Sequence, residues 1–140
     1  MDVLRTFQIA GSALTAQRMR MDVIASNLAN IETTATPEGG PYRRALVVFE
    51  PRPNDVRDRR EPAANGVEVA AIIEDGRPLR RVHQPGHPQA DAEGFVEYPN
   101  VDLATEMVDL MAATRAYGAN TTVLDATRTM VQRTLDIGRA

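Results

Sequence analysis

Two histidines, His83 and His87, stand four residues apart. On a helix that spacing would set two imidazoles on one face, as a paired metal ligand requires. Pro85 and Gly86 lie between them and Pro88 follows, so no helix can hold the pair and it reads as part of a turn. The chain has no Cys, which removes disulfides, thiolate nucleophiles and Cys-bearing zinc sites. Asp91 and Glu93 are nearby carboxylates that add little to the histidine pair. Ser12 and Ser26, the only serines, fall in a helical stretch with no histidine nearby and no nucleophile-elbow pattern. Gly39-Gly40 lacks the rest of a phosphate-binding loop, and the remaining carboxylates sit in charged loops. The expectation is no catalytic, metal or cofactor site, no small-molecule substrate, and a chain that is not an enzyme.

The chemistry-bearing residues are thus less informative than the elements that carry them. Apolar residues recur in steps of four and three at both ends of the chain, the spacing of one face of a helix. The N-terminal row is Val3, Phe7, Ala10, Leu14, Gln17, Met21, Ile24, Leu28 and Ile31. The C-terminal row is Leu103, Met107, Leu110, Thr114, Tyr117, Thr121, Leu124, Arg128, Val131 and Leu135. A second row on the C-terminal helix, Ala116, Val123, Met130 and Ile137, lies about 100° around it. One partner helix covers one row, so the second asks for another neighbour. Polar members of the rows, Gln17, Thr114, Thr121 and Arg128, either fix register or face solvent or a channel.

The predicted architecture is mainly α, with two long paired helices, coiled-coil-like, flanking a short antiparallel β region. Residues 1–31 form the first helix, with Asp2 as its cap and Asn30 as a left-handed stop. Residues 32–99 form a β-rich insert with strands at 42–50, 67–74, 79–82 and 94–98. The Asp75-Gly76 pair marks a hairpin turn, and the four strands are expected to join in one small sheet. A charged, proline-punctuated stretch at 51–65 reads as a mobile loop. Residues 100–140 carry the second helix, with Asn100 or Asp102 as cap and Gly138 as stop.

At 140 residues the length suits one ordinary domain, or two very small ones. Net charge is −3, and all sixteen basic residues are Arg. No segment is basic enough to form a nucleic-acid footprint. No window approaches the ~20 apolar residues of a membrane span, and the start Met-Asp-Val-Leu-Arg lacks the pattern of a cleaved leader. Paired rows of this kind read as an assembly surface, made of Val3, Phe7, Leu14, Met21, Ile24, Leu28, Leu103, Met107, Leu110, Tyr117, Val123, Leu124, Met130, Val131, Leu135 and Ile137.

Four stretches carry a resemblance. Residues 26–34 (SNLANIETT), 36–44 (TPEGGPYRR), 90–102 (ADAEGFVEYPNVD) and the helix from Glu106 to Ala140 resemble the bacterial flagellar rod and hook protein family, in its proximal-rod form. The resemblance implies a structural subunit of the basal-body rod, the shaft that crosses the periplasm and transmits torque to the hook. It implies terminal helices paired around an export channel, and export through the flagellar type III apparatus without a cleaved signal. Implied partners are copies of the chain, other rod subunits, and export and membrane-ring components of the basal body. Within the signature, Asn30 reads as a helix cap, while Asn27 reads either as a turn residue or as a contact to a neighbour. Family members tend to carry a Phe followed four residues later by a large apolar side chain. Here Phe7, Phe49 and Phe95 are followed by Gly11, Pro53 and Pro99. The terminal helices are expected to be loose in the isolated chain and to order on stacking.

Overall fold

The computed structural model describes residues 3–52 and 66–138. Helix α1 spans Val3–Ala29, followed by strands β1 (Ala45–Pro51), β2 (Val67–Glu74), β3 (Arg80–His83) and β4 (Phe95–Tyr98), then helix α2 (Leu103–Ile137). Two long helices therefore flank a small antiparallel strand region, which is the predicted fold class. The proposed cap Asp2 and all of the 51–65 loop after Arg52 lie outside the described residues.

Local chemistry sets the helix ends. Asn30 does not adopt the left-handed conformation expected of it, since no described residue other than glycine has a positive φ. Instead its backbone N–H and its side-chain Nδ2 both donate to Ser26 O, at 3.1 and 2.9 Å, so the side chain serves a helix-end carbonyl directly. Asp102 caps α2: its Oδ2 accepts from Thr105 N at 2.8 Å and from Thr105 Oγ1 at 2.6 Å. Gly138 ends α2 in right-handed conformation, φ −76°, with its N–H on Thr134 O.

The strands form two separate ribbons rather than one sheet. β1 pairs with β2 from Ala45↔Glu74 to Pro51↔Val67, with an irregularity at Val48/Phe49. β3 pairs with β4 from Arg80↔Tyr98 to His83↔Phe95. The expected β2–β3 hairpin is absent because Asp75-Gly76 does not make its turn. A primed two-residue turn needs positive φ at its first central residue, and in type I′ at both, and neither Asp75 nor Gly76 has it. Asp75 is held elsewhere, its N–H on Arg44 O at 2.8 Å and its Oδ1 taking Arg77 N at 3.0 Å.

The helices run antiparallel: Asn27 meets Glu106, and Arg20 meets Asp109. α2 is 35 residues long and α1 27. With the joined ends level, the last two turns of α2 project past Val3 by roughly 12 Å. The buried apolar set is small, Ala10, Ala16, Ile24, Val96, Val101 and Ala113. Half of it is alanine, so the helices approach closely while little apolar area is removed from water.

Candidate functional site: a buried polar joint and a bare helix face

Where α1 ends and α2 begins, the chain buries charge. Glu106 is 0% exposed and Asn27 1%. Asn27 spends its whole side chain there. Its Oδ1 accepts from Ala45 N and from Tyr42 Oη, both at 2.9 Å, and its Nδ2 donates to Ala45 O at 2.9 Å and to Glu106 Oε2 at 3.1 Å. The carboxamide pairs with the Ala45 peptide unit as a neighbouring strand would, fastening β1 to the helix.

Arg44 is the centre of the joint. Its Nε donates to Glu106 Oε1, and its Nη2 to Asp109 Oδ2 at 2.9 Å. Nη1 lies 3.7 Å from Asp75 Oδ2. Asp109 also takes Arg20 Nη2 at 3.1 Å, and Asp75 takes Arg77 Nη2 at 2.7 Å. Three guanidiniums thus face three carboxylates, and neither charge is left unpaired, the condition under which buried ions are tolerated. Asn100 closes the ring: Oδ1 accepts from Arg44 N at 2.8 Å, and Nδ2 donates to Asp75 O and Arg77 O. The Arg77 guanidinium and N–H, with Arg44 behind them, hold the Asp75 carboxyl below the ordinary range. Thr105 does the same for the capping Asp102 through its hydroxyl and N–H.

A strand segment, a turn and both helices therefore meet at one place. Tyr42 and Arg44 reach it from the same side because alternate residues of an extended chain point alike. Glu106 and Asp109 reach it because residues three apart on a helix share a face. The sequence signal was present in the 36–44, 90–102 and 106–109 stretches. Charged residues in a polar segment otherwise read as solvated, and these partners are 62 and 65 positions apart. Of the two signature asparagines, Asn27 lies in this joint with no polar group left for a neighbour, and half-buried Asn30 closes α1.

On the helix pair, α1 turns its expected row inward. Ile24 is buried; Phe7, Leu14, Met21 and Leu28 are half-buried; Val3 is exposed. Gln17 also lies in this row, and its Oε1 is buried with no hydrogen-bond partner. α2 behaves differently. Its contact face is Glu106, Leu110, Ala113, Ala116, Asn120, Leu124, Thr127 and Val131, mostly small or polar. Of the expected α2 residues, Leu110, Leu124 and Val131 are half-buried, while Leu103, Met107, Tyr117, Val123, Met130, Leu135 and Ile137 are exposed. Met130 is 58% exposed and Ile137 79%. The expected row coincides with the contact face only in part, at Leu110, Leu124 and Val131; the rest of that face is alanine, asparagine, threonine and a paired glutamate, which carry little of the large apolar signal that marks the row.

His83 packs edge-on to Phe95 at 5.0 Å, and His87 faces Tyr98 at 6.5 Å. Among the described residues no group of three or more metal-ligating side chains occurs, and no helix is long and apolar enough to cross a membrane.

Two family profiles match the two ends of the chain: flagella basal body rod protein over residues 7–35, and the C-terminal region of the flagellar basal body rod FlgEFG proteins over 92–137. The flagellar basal-body rod protein FlgC of Escherichia coli O6:H1 is 47% identical over 139 residues, covering 99% of this chain and 100% of that one. The chain belongs to the FlgC family. FlgC of Bacillus subtilis strain 168 is 42% identical across 99% of this chain and 100% of its own length. FlgC of Borreliella burgdorferi is 42% identical across 98% of each. As a FlgC-family member the chain is a structural protein of the flagellar basal-body rod and not an enzyme, so the joint and the helix faces are what its geometry has to offer.

Proposed function

We propose that the chain polymerises into the proximal rod through the bare face of α2, packing against copies of itself and other rod subunits around the export channel. The observation that carries this reading is the division of labour on α2. Leu110, Leu124 and Val131 join small and polar residues against α1, while Leu103, Met107, Met111, Val123, Met130 and Ile137 stay in water. These form two exposed apolar patches on opposite flanks of the α1-facing side, Leu103, Met107 and Met111 near the joint and Val123, Met130 and Ile137 towards the far end, and exposed apolar patches mark interaction sites. Val123, Met130 and Ile137 repeat every seven residues, which suits a second helix lying alongside.

The neighbours are rod subunits, with export and membrane-ring components of the basal body at the ends of the shaft. Export runs through the flagellar type III apparatus, and torque passes from helix to helix along the shaft. Neither nucleic acid nor a small-molecule substrate enters this reading.

The native chain contains no Cys, so a single Met130→Cys reports contacts cleanly. In assembled basal bodies it is expected to cross-link to a neighbouring subunit. Quantitative labelling of the introduced thiol by a soluble maleimide in intact rods, without cross-linking, would refute the reading.

A further inference from the structure

We infer that Ser12 and Gly66 form a second lock, distant from the joint, that straps the β1–β2 ribbon along α1 and withholds that face of α1 from neighbours. The Ser12 hydroxyl is used in both senses. It donates to Ile9 O at 2.8 Å and accepts from Val67 N at 3.1 Å. Gly66, immediately before β2, has φ +120°; a Cβ there would collide with Ser12 Oγ and lie 3.1 Å from Ser12 Cβ and 3.5 Å from Ile9 Cα. Only a residue without a side chain brings the backbone this close to a helix in that conformation. Arg52 N donates to Gly66 O at 3.0 Å, so both strands of the ribbon are tied where Ser12 holds it.

The other end of the ribbon is held by Asn27 on Ala45. Ser12 and Asn27 are fifteen residues apart on α1, roughly 22 Å along the axis. β1 has seven residues, spanning about 20 Å from first to last. Strand and helix thus match in length between the two anchors. Ser12, buried Ala16, Val23 and Asn27 follow each other on one face of α1, the first two small enough for a strand to lie close. A ribbon clamped at both ends occupies this face permanently, which leaves α2 as the main open surface. This consequence rests on the assembly reading above; the lock itself does not.

The test uses the full chain and two variants. Removing the acceptor with Ser12→Ala should speed hydrogen exchange of the Val67 amide about fivefold to tenfold. Gly66→Ala should speed it at least ~30-fold at Arg52 and Val67, because a clash adds to backbone strain. Ala45 exchange should stay unchanged in both, since Asn27 holds that end. In Gly66→Ala, Ser12→Gly should restore part of the protection by removing the collision. Unchanged exchange at Val67 in Ser12→Ala, or loosening that spreads equally to Ala45, overturns the lock. Incorporation of Ser12→Ala and Gly66→Ala into basal bodies should fall in the order of their loosening. Normal incorporation despite loosened ribbons overturns the masking role while leaving the α2 interface standing.

Discussion

The side chain of Asn27 pairs with the peptide unit of Ala45 in both directions, Oδ1 accepting its N–H and Nδ2 donating to its carbonyl, each at 2.9 Å. One residue on a helix thereby takes the place of a strand neighbour, and the same carboxamide also meets Tyr42 and Glu106. Asn27→Ala strands a buried carboxylate oxygen, a hydroxyl and two backbone groups. The expected loss is about 2–4 kcal/mol of unfolding free energy. Asn27→Asp is expected to be worse, because it sets a second carboxylate against Glu106. Urea midpoints of the purified chain measure both; a loss below ~0.5 kcal/mol for Asn27→Ala would contradict the joint.

Arg44 and Glu106 act as a pair whose halves cost more than the whole. Arg44→Met alone leaves Glu106 as an uncompensated buried charge, with an expected loss of about 3–5 kcal/mol; Glu106→Leu alone should cost less, because Arg44 keeps Asp109 and Asp75. The double variant should recover part of the Arg44→Met loss. Recovery is incomplete because Arg44 also serves Asp109 and Asp75. A double-mutant cycle reads the coupling directly; strictly additive losses would mean that the two residues do not depend on each other.

The joint was the least legible part of the chain. Helix α1, helix α2 and the strand segments between them follow from periodicity and turn residues, and the fold class with them. The turn at Asp75-Gly76 misleads because the dipeptide has hairpin composition, yet Arg44, Arg77 and Asn100 hold the Asp75 main chain and carboxylate elsewhere. The α2 contact face misleads for the opposite reason: Ala113 and Thr127 carry no hydrophobic signal but are buried. Size and polarity on a helix show which residues prefer to leave water, and not which ones meet inside a single chain when a second chain is to cover the rest.

Acid should weaken the insert and the capped start of α2. Asp75, Asp91 and Asp102 all have carboxyls held below the ordinary range. For Asp75 the main cause is Arg77; for Asp91 it is the Phe95 N–H, with Glu93 N–H and Arg81 adding; for Asp102 it is Thr105. A folded-state pKa below the unfolded value of about 3.9 gives stability that is present above that pH. It is lost as pH falls through the lowered folded-state values. Unfolding midpoints measured from pH 5 to pH 2 should therefore decline at the acid end. Asp75→Asn should flatten the decline, and an unchanged slope would exclude Asp75 as a contributor.

The two helices should open from one end. Near the joint the pair is tied by Asn27, Arg20, Glu106 and Asp109; at the other end Leu135 and Ile137 are 63% and 79% exposed. Hydrogen exchange of the isolated chain should rise along α2 from Ala113 towards Ile137, with the slowest amides near Glu106. Uniform protection along the helix would contradict this gradient. Assembly should then protect the far end.

The most direct measurement for the assembly reading is a paired one on Val123→Asp and Met130→Asp. Both side chains are exposed in the isolated chain, so monomer stability should stay within about 0.5 kcal/mol of the native protein. In a strain carrying either variant, rods should be missing from basal bodies and swimming lost, because a carboxylate would be buried at the helix–helix contact. Stable variants that build normal rods would contradict the account.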